Sequence, residues 1–339
     1  MGRNDPFTFD GGTVDPGETR HFRFPTSETY LGDPVRIPVT IINGEEGGPT
    51  VFLAAATHGD ELNGIEVVRE VAHEWDHSGT CGTLVCLPVL NVPGFTAQER
   101  YLPGYERDLN RAFPGDPGGT QDRRIAHRIY ENFVAPADLG LDFHTSTRGR
   151  TNVLHVRADT RAPEVARLAN AFGTNLIIDG AGSPGMLRRV ATDDGIPTVT
   201  IEMGEAHRFE RELIDLALDG VRSVFAEFGV YEQELVRWPG WRTVVGAGEK
   251  TWIRSDVGGI VDMHHERGAL VHEGETICVV GDPFKRESSE VTAPFTGVLA
   301  GVLENPVVYP GNPLCHLVAV DDQVQQCVES QTADAARVA

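Results

Sequence analysis

The feature that most constrains the fold is an apolar strand that passes directly into an amphipathic helix. Residues 50–57, TVFLAAAT, are almost continuously apolar, which is typical of a strand buried inside a parallel sheet. Over residues 61–75 the apolar side chains recur at helical spacing instead. A strand, a short loop and a helix are therefore predicted here, with a further strand over 35–42 before them.

The same alternation continues along the first two thirds of the chain. Apolar runs predict strands, and amphipathic segments predict helices that pack on them. Alternation of this kind indicates an α/β domain with a mixed, mostly parallel sheet and flanking helices. The predicted strands are 83–90, 137–145 and 196–204, and the predicted helices are 125–134, 165–173 and 213–229.

The composition changes near Arg237, where WPGWRTVVGAGEKTW is rich in Gly, Pro and aromatic residues. Short β-like segments with Gly turns follow, without helical periodicity. We predict an α/β domain over 1–235 and a small all-β, barrel-sandwich-like domain over 236–322. Residues 323–339 are polar, and we predict that they form a frayed tail.

Charge and cysteine usage exclude several classes of protein. The net charge of −21 disfavours nucleic acid and anionic membrane as partners, because both require a basic surface. No apolar run reaches about 18 residues, and the N-terminus lacks a secretory core, so a cytoplasmic location is expected. Five cysteines without a C-x-x-C pair favour reduced thiols, which leaves histidines and carboxylates to bind any metal. This composition is compatible with a homo-oligomer.

The basic residues are nearly all arginine, with Lys250 and Lys285 the only lysines. In a chain this acidic, the pattern fits adaptation to high salt, and equally the codon bias of a GC-rich genome.

Three polar side chains at strand ends predict a metal site. His58 and Glu61 form H-x-x-E just after the apolar strand, and His144 ends another apolar strand. The carboxyl ends of parallel strands meet at one crevice, and two imidazoles with one carboxylate are a ligand set of catalytic zinc. A short H-x-x-E also arises by chance, and a histidine at a strand end can instead bind a backbone carbonyl.

Two further acids belong to the same apolar strands. Asp142 lies on the same face as His144, and it could orient a ligand imidazole, with His58 as the expected partner across the site. Glu202 follows the apolar run VTI and is the candidate general base. A structural ion pair is the alternative for either acid.

A basic loop, ERYLPGYERDLNRAFPG, lies between these strands. It contains Arg100, Arg107, Asn110 and Arg111, and arginine matches a carboxylate with two parallel hydrogen bonds. The loop could therefore bind a substrate carboxylate, or its arginines could pair with neighbouring acids.

These segments together resemble the succinylglutamate desuccinylase and aspartoacylase family of the zinc carboxypeptidase superfamily. The resemblance rests on THGDELNG, NVPGF, RY with DLNRAFPG, DFHTS and TIEMG, in this order. It implies one Zn²⁺ held by His58, Glu61 and His144, with Glu202 as general base. It also implies that Arg100, Asn110 and Arg111 bind the substrate, although LPGYERDL lengthens the loop and leaves Arg107 as a substitute for Arg100.

The activity that follows is hydrolysis of the amide bond of a small N-acyl amino acid or related N-acylated amine. A zinc carboxypeptidase acting on peptides is the alternative enzyme. The C-terminal region is also similar to biotinyl and lipoyl carrier domains, so a non-catalytic carrier or binding protein is a further alternative. Carrier domains need a lysine at a hairpin tip, but Arg286 holds the expected position and Lys285 is one residue away.

Overall fold

The computed structural model describes residues 2–104, 106–231, 243–246, 249–284 and 286–338, with 331–338 described by backbone alone. The predicted domain boundary near residue 235 lies outside these ranges, as does Lys285.

Five strands come first, strands and helices then alternate as far as residue 227, and strands dominate the chain after it. The strands, numbered in chain order, are Phe7–Phe9 (β1), Gly12–Val14 (β2), Thr19–Glu28 (β3), Pro34–Asn43 (β4), Glu46–Ala55 (β5), Cys81–Leu87 (β6), Leu139–Ser146 (β7), Arg150–Ala158 (β8), Leu176–Asp179 (β9), Thr198–Glu205 (β10), Thr243–Val245 (β11), Lys250–Arg254 (β12), Gly259–Met263 (β13), Leu270–Val271 (β14), Thr276–Gly281 (β15), Ser288–Thr292 (β16), Gly297–Leu303 (β17), Val307–Val308 (β18) and Pro313–Ala319 (β19).

The α-helices are Asn63–His73 (α1), Val92–Ala97 (α2), Gln121–Ile129 (α3), Pro163–Phe172 (α4), Leu187–Asp193 (α5), Arg211–Glu227 (α6) and Asp322–Val338 (α7). A 3₁₀ turn spans Leu109–Arg111, and a π-helical turn, Tyr130–Val134, extends α3.

The centre of the main sheet is parallel. Strands β10, β7, β5 and β6 lie side by side in that order and all run parallel. The chain moves from β5 to β6 on one side and then returns to β7 on the other side of β5. The strand order therefore reverses between β5 and β7, which is where open α/β sheets form their ligand crevice.

Both faces of this sheet are covered, which explains the continuous apolar runs. Neighbouring residues of β5 point to opposite faces, and each is buried: Leu53 contributes to the core under α1, α4 and α6, while Phe52 contributes to the core under α3 and α5. A strand buried on both faces cannot alternate polar and apolar residues.

The C-terminal strands extend the same sheet and add a second one. Strand β17 pairs antiparallel with β8, and β19 and β12 follow it outward. Strands β16, β15, β13 and β18 form a separate antiparallel sheet. The predicted fold class, a mixed, mostly parallel sheet with flanking helices and a C-terminal all-β region, is confirmed.

The prediction of a frayed tail after residue 322 is wrong. This segment forms helix α7, and Val324 and Val328 bury their side chains against Leu176, Ile178 and Val298. Two valines four residues apart supply the apolar stripe that anchors an otherwise polar helix.

Candidate metal centre and catalytic pocket

The loop that follows β5 places His58 and Glu61 at the carboxyl edge of the sheet. Ala56 has a φ of 48°, so the chain turns sharply where the strand ends. A Cβ at Gly59 would overlap the backbone of Gly94, and one at Gly64 would lie 2.5 Å from the Cβ of Phe143. The glycines of the THGDELNG motif thus permit two close backbone approaches.

His58, Glu61 and His144 form one buried cluster. The Nδ1 of His58 lies 2.8 Å from Oε1 of Glu61. The Nδ1 of His144 lies 2.8 Å from Oε2 of the same carboxylate. The two imidazole Nδ1 atoms are 3.2 Å apart. One potential ligand atom from each residue lies within 4.8 Å of the others.

A carboxylate contacts the outer nitrogen of each imidazole. Oδ1 of Asp108 lies 3.2 Å from Nε2 of His58, and Oδ2 of Asp142 lies 3.0 Å from Nε2 of His144. The structure therefore places Asp142 on His144, two residues away on the same strand, and not on His58 as expected. Asp108, at the start of the 3₁₀ turn, holds His58.

The three residues perturb one another's pKa values. Burial by itself raises the pKa of Glu61, but the charges of His58 and His144 outweigh it and hold that pKa well below its ordinary range. Burial lowers the pKa of His144, yet Asp142 and Glu61 together raise it well above the usual value. The cluster is thus built to stabilise positive charge beside the Glu61 carboxylate.

The donor set fits zinc. Two imidazole Nδ1 atoms and one carboxylate converge, and a carboxylate on the outer nitrogen of each ring fixes the tautomer that metal-bound histidines require. Oδ1 of Asp142 is buried and has no hydrogen-bond partner among the described residues, so the hydrogen bonding of this carboxylate is directed to His144.

Glu202 faces this cluster from the next strand. It pairs in register with His144 across the parallel β10 and β7 strands, so both side chains point to the same face. Its Oε1 lies 3.1 Å from Nε of Arg157, and its Oε2 accepts a hydrogen bond of 3.1 Å from Nδ2 of Asn152. Glu205 points elsewhere, to the backbone N–H of Gly149 and to Arg208.

The basic loop divides into residues inside and outside the pocket. Arg100, Asn110 and Arg111 line the pocket, and Nη1 of Arg100 lies 2.6 Å from Oε1 of Glu61. The Asn110 side chain accepts from the N–H of Leu187 and lies 3.4 Å from Nε2 of His144. Arg107 does not replace Arg100, because it lies outside this pocket with its guanidinium 3.7 Å from Asp122.

Two arginines of the pocket wall were not predicted from the sequence. They are Arg157 on β8 and Arg188 on α5. Arg188 is buried and donates to the carbonyl of Gly180, and burial together with Arg157 lowers its pKa to about 10. An arginine within a strand as apolar as TNVLHVRA was the available signal for the first. The double arginine after the glycine-rich segment AGSPGM was the signal for the second.

The pocket is small, with a volume of about 290 Å³. It is bounded by the His–Glu–His cluster on one side and by Glu202 with Arg157 and Arg188 on the other, and Ser183 and Met186 contribute to its wall. Its dimensions suit a small molecule better than an extended chain.

A buried His–Glu–His cluster that could hold a metal ion lies at the switch point of a mostly parallel sheet and is opposed by a carboxylate. This arrangement is typical of metal-dependent hydrolases. Similarity to known proteins identifies the family of this chain. Residues 47–228 match the model of the succinylglutamate desuccinylase/aspartoacylase catalytic domain. This match covers more than half of the chain, and the protein belongs to that family.

Relatives and solved structures agree with this assignment. The chain is 27% identical over 258 residues to N-alpha-acetyl-L-2,4-diaminobutyric acid deacetylase from Halomonas elongata, covering 73% of this chain and 75% of the relative. A probable aspartoacylase from Parasynechococcus marenigrum is 28% identical over 141 residues, covering 39% of this chain and 46% of the relative. These homologues are deacylases of N-acyl amino acids, which supports an amidohydrolase.

Similar folds cover nearly the whole chain. A succinylglutamate desuccinylase from Silicibacter superposes with a TM-score of 0.81 at 25% identity, covering 94% of this chain and 100% of that one. The product-bound ectoine utilization protein EutE (DoeB) from Ruegeria pomeroyi has the same TM-score and coverage at 24% identity. Among the helices that the structure describes, none is both long and apolar enough to cross a membrane.

Proposed function

We propose that this protein is a zinc-dependent deacylase that hydrolyses the amide bond of small, anionic N-acyl amino acids. The observation that carries the proposal is the register pairing of Glu202 with His144, because it points a carboxylate at the His58–Glu61–His144 cluster from the neighbouring strand. One Zn²⁺ would be held by those three residues and would supply Lewis acidity, which polarises the scissile carbonyl and acidifies water.

The chain's own residues perform the proton transfers. Glu202 accepts the proton of the attacking water and then delivers it to the amide nitrogen, so that the amine leaves in neutral form. Arg100, beside Glu61, donates to the carbonyl oxygen as negative charge develops on it. Asp108 and Asp142 keep both imidazoles in the tautomer that binds metal.

The charge of the pocket supports an anionic substrate. Four guanidinium groups line it, from Arg100, Arg111, Arg157 and Arg188, in a protein whose net charge is −21. Positive charge concentrated in one small pocket of an acidic protein attracts a carboxylate and orients it. The small volume disfavours the alternative, a carboxypeptidase acting on long peptides.

The test combines metal analysis with substrate hydrolysis. We expect purified protein to contain zinc at one per chain and His144→Ala to lose it. We also expect amine release from at least one member of a panel of N-acetyl and N-succinyl amino acids. Wild-type protein that neither binds zinc nor releases amine would contradict the proposal, and cleavage of peptides alone would favour the carboxypeptidase.

A further inference from the structure

We infer that two residues of the C-terminal β-module (residues 250–319), Gly301 and Arg267, position the Glu202 carboxylate. The inference rests on the proposed function and concerns how its general base is held. It assigns positioning roles to module residues that touch neither the substrate pocket nor the metal cluster.

The first connection runs through Asn152 on β8. This strand lies between β10, which carries Glu202, and β17 of the module. The side chain of Asn152 is buried and donates from Nδ2 to Oε2 of Glu202 at 3.1 Å. One carboxylate oxygen of the base is therefore fixed by a residue outside its own strand.

Gly301 provides the space for that asparagine. It pairs in register with Asn152 across the antiparallel β17 and β8 strands, next to a register shift in the pairing of β17 with β19. A Cβ at position 301 would overlap Oδ1 of Asn152 and lie 3.2 Å from the carbonyl oxygen of Thr151. Any larger residue here must push the asparagine side chain towards Glu202 or away from it.

The second connection runs through Arg267. Its Nη1 donates to Thr151 Oγ1 and lies 2.7 Å from Oε1 of Glu210. The other oxygen of Glu210 accepts from the backbone N–H of Glu205 at 2.8 Å. The module therefore also contacts the segment that follows Glu202.

That segment is a bulge. The pairing of β10 shifts register after Glu202 with both neighbouring strands, and Gly204 within it has a φ of 69°. Bulges re-aim a strand side chain and recur beside active sites. Arg267 and Glu210 hold this bulge from the module side, while Asn152 and Gly301 hold the carboxylate itself.

Position matters because proton transfer requires hydrogen-bond distance to the attacking water. Oε2 is bound to Asn152 and Oε1, which takes the proton, lies 3.1 Å from Nε of Arg157, so a displaced Asn152 side chain moves the carboxylate relative to the attacking water. A shift of about 1 Å in a catalytic group can lower the rate by about 100-fold.

The first experiment is kinetic. In the zinc-loaded full-length enzyme, we expect Gly301→Ala to lower kcat by about 10-fold to 100-fold, with KM within about twofold of the wild type and zinc content unchanged. Gly281→Ala is the matched control, because it lies in the same module and its added Cβ would meet an ordinary contact of 3.5 Å to the Glu287 carbonyl. Its kcat should equal that of the wild type.

A double-mutant cycle separates positioning from general loss of structure. Asn152→Ala alone should lower kcat, and adding Gly301→Ala in that background should lower it no further, because the displaced side chain is gone. Independent, multiplicative effects of the two changes would overturn the inference. Arg267→Met should lower kcat as well, while Arg254→Met in the same module should not.

A crystal structure of Gly301→Ala gives a test that does not depend on activity. The inference predicts that the Asn152–Glu202 hydrogen bond is lost, and a bond that persists overturns it even for an inactive enzyme. If the wild type hydrolyses the panel and Gly301→Ala behaves identically, the inference alone fails. If the wild type releases no amine, the proposed function fails.

Discussion

Glu202 and His144 are register partners on the adjacent parallel strands β10 and β7. Each ends an apolar run that is buried on both faces of the sheet, and both side chains turn to the same crevice. The candidate metal ligand and the candidate base are thus both held by central strands of the sheet.

We expect Glu202→Gln to lower kcat by about 10²-fold to 10⁴-fold, because the amide cannot accept a proton. Zinc content should stay at the wild-type level, since Glu202 is not a member of the His–Glu–His cluster. Steady-state kinetics with elemental analysis measure both. A variant with full activity would remove Glu202 from its proposed role.

We expect Asp142→Asn and Asp108→Asn each to weaken zinc binding by about 10-fold to 100-fold, because each carboxylate holds the outer nitrogen of one histidine. Competition with a chromophoric chelator measures the affinity. The exposed Asp33→Asn serves as control. Equal zinc affinity in all three variants would show that these contacts do not support metal binding.

We expect Arg111→Gln to raise KM for an anionic N-acyl amino acid about tenfold or more, because a charge-assisted hydrogen bond is lost. Arg107→Gln is the matched control from the same loop, since its side chain lies outside the pocket. An amide analogue lacking the carboxylate should not distinguish Arg111→Gln from wild type. Equal effects of the two variants would contradict the assignment.

His316 should make stability depend on pH. Its ring is buried against Trp252, and burial, together with Arg157 and Lys250, lowers its pKa to about 3. Below a pH of about 6.5 the imidazole of His316 is protonated in the unfolded chain but stays neutral in the folded chain. The free energy of unfolding therefore falls as the pH falls, by about 1.4 kcal/mol per pH unit.

The corresponding measurement compares His316→Phe with wild type by urea unfolding at pH 7.5 and pH 5. The variant keeps an aromatic ring on Trp252 and should lose about 2 kcal/mol less stability between these two values than the wild type does. The exposed His272→Phe is the control. An unchanged pH dependence in His316→Phe would refute the prediction.

Helix α7 should contribute to stability. Val324→Asp places a charge among Leu176, Ile178 and Val298, and we expect it to reduce the free energy of unfolding by about 2–4 kcal/mol. Gln326→Asp, on the exposed side of the same helix, should change it by less than about 0.5 kcal/mol. Equal effects of the two substitutions in denaturant titrations would mean that the helix does not pack here in solution.

The sequence by itself determined the parallel core and the residues at its carboxyl edge. Strands buried on both faces must be continuously apolar, so polar residues at their ends, such as His58, His144 and Glu202, stand out against them. A continuous apolar run and an apolar period of 3.6 residues are local properties of the chain, which is why the fold class could be predicted without the structure.

Only the tertiary structure decided which of these residues meet. Asp108 on His58, Arg157 on Glu202, Arg107 outside the pocket and α7 against the sheet all depend on pairings between segments far apart in sequence. The contact of Gly301 with Asn152 joins residues 149 positions apart. Residue identity fixes what a side chain can bind, whereas strand register and loop path determine which partner comes within its reach.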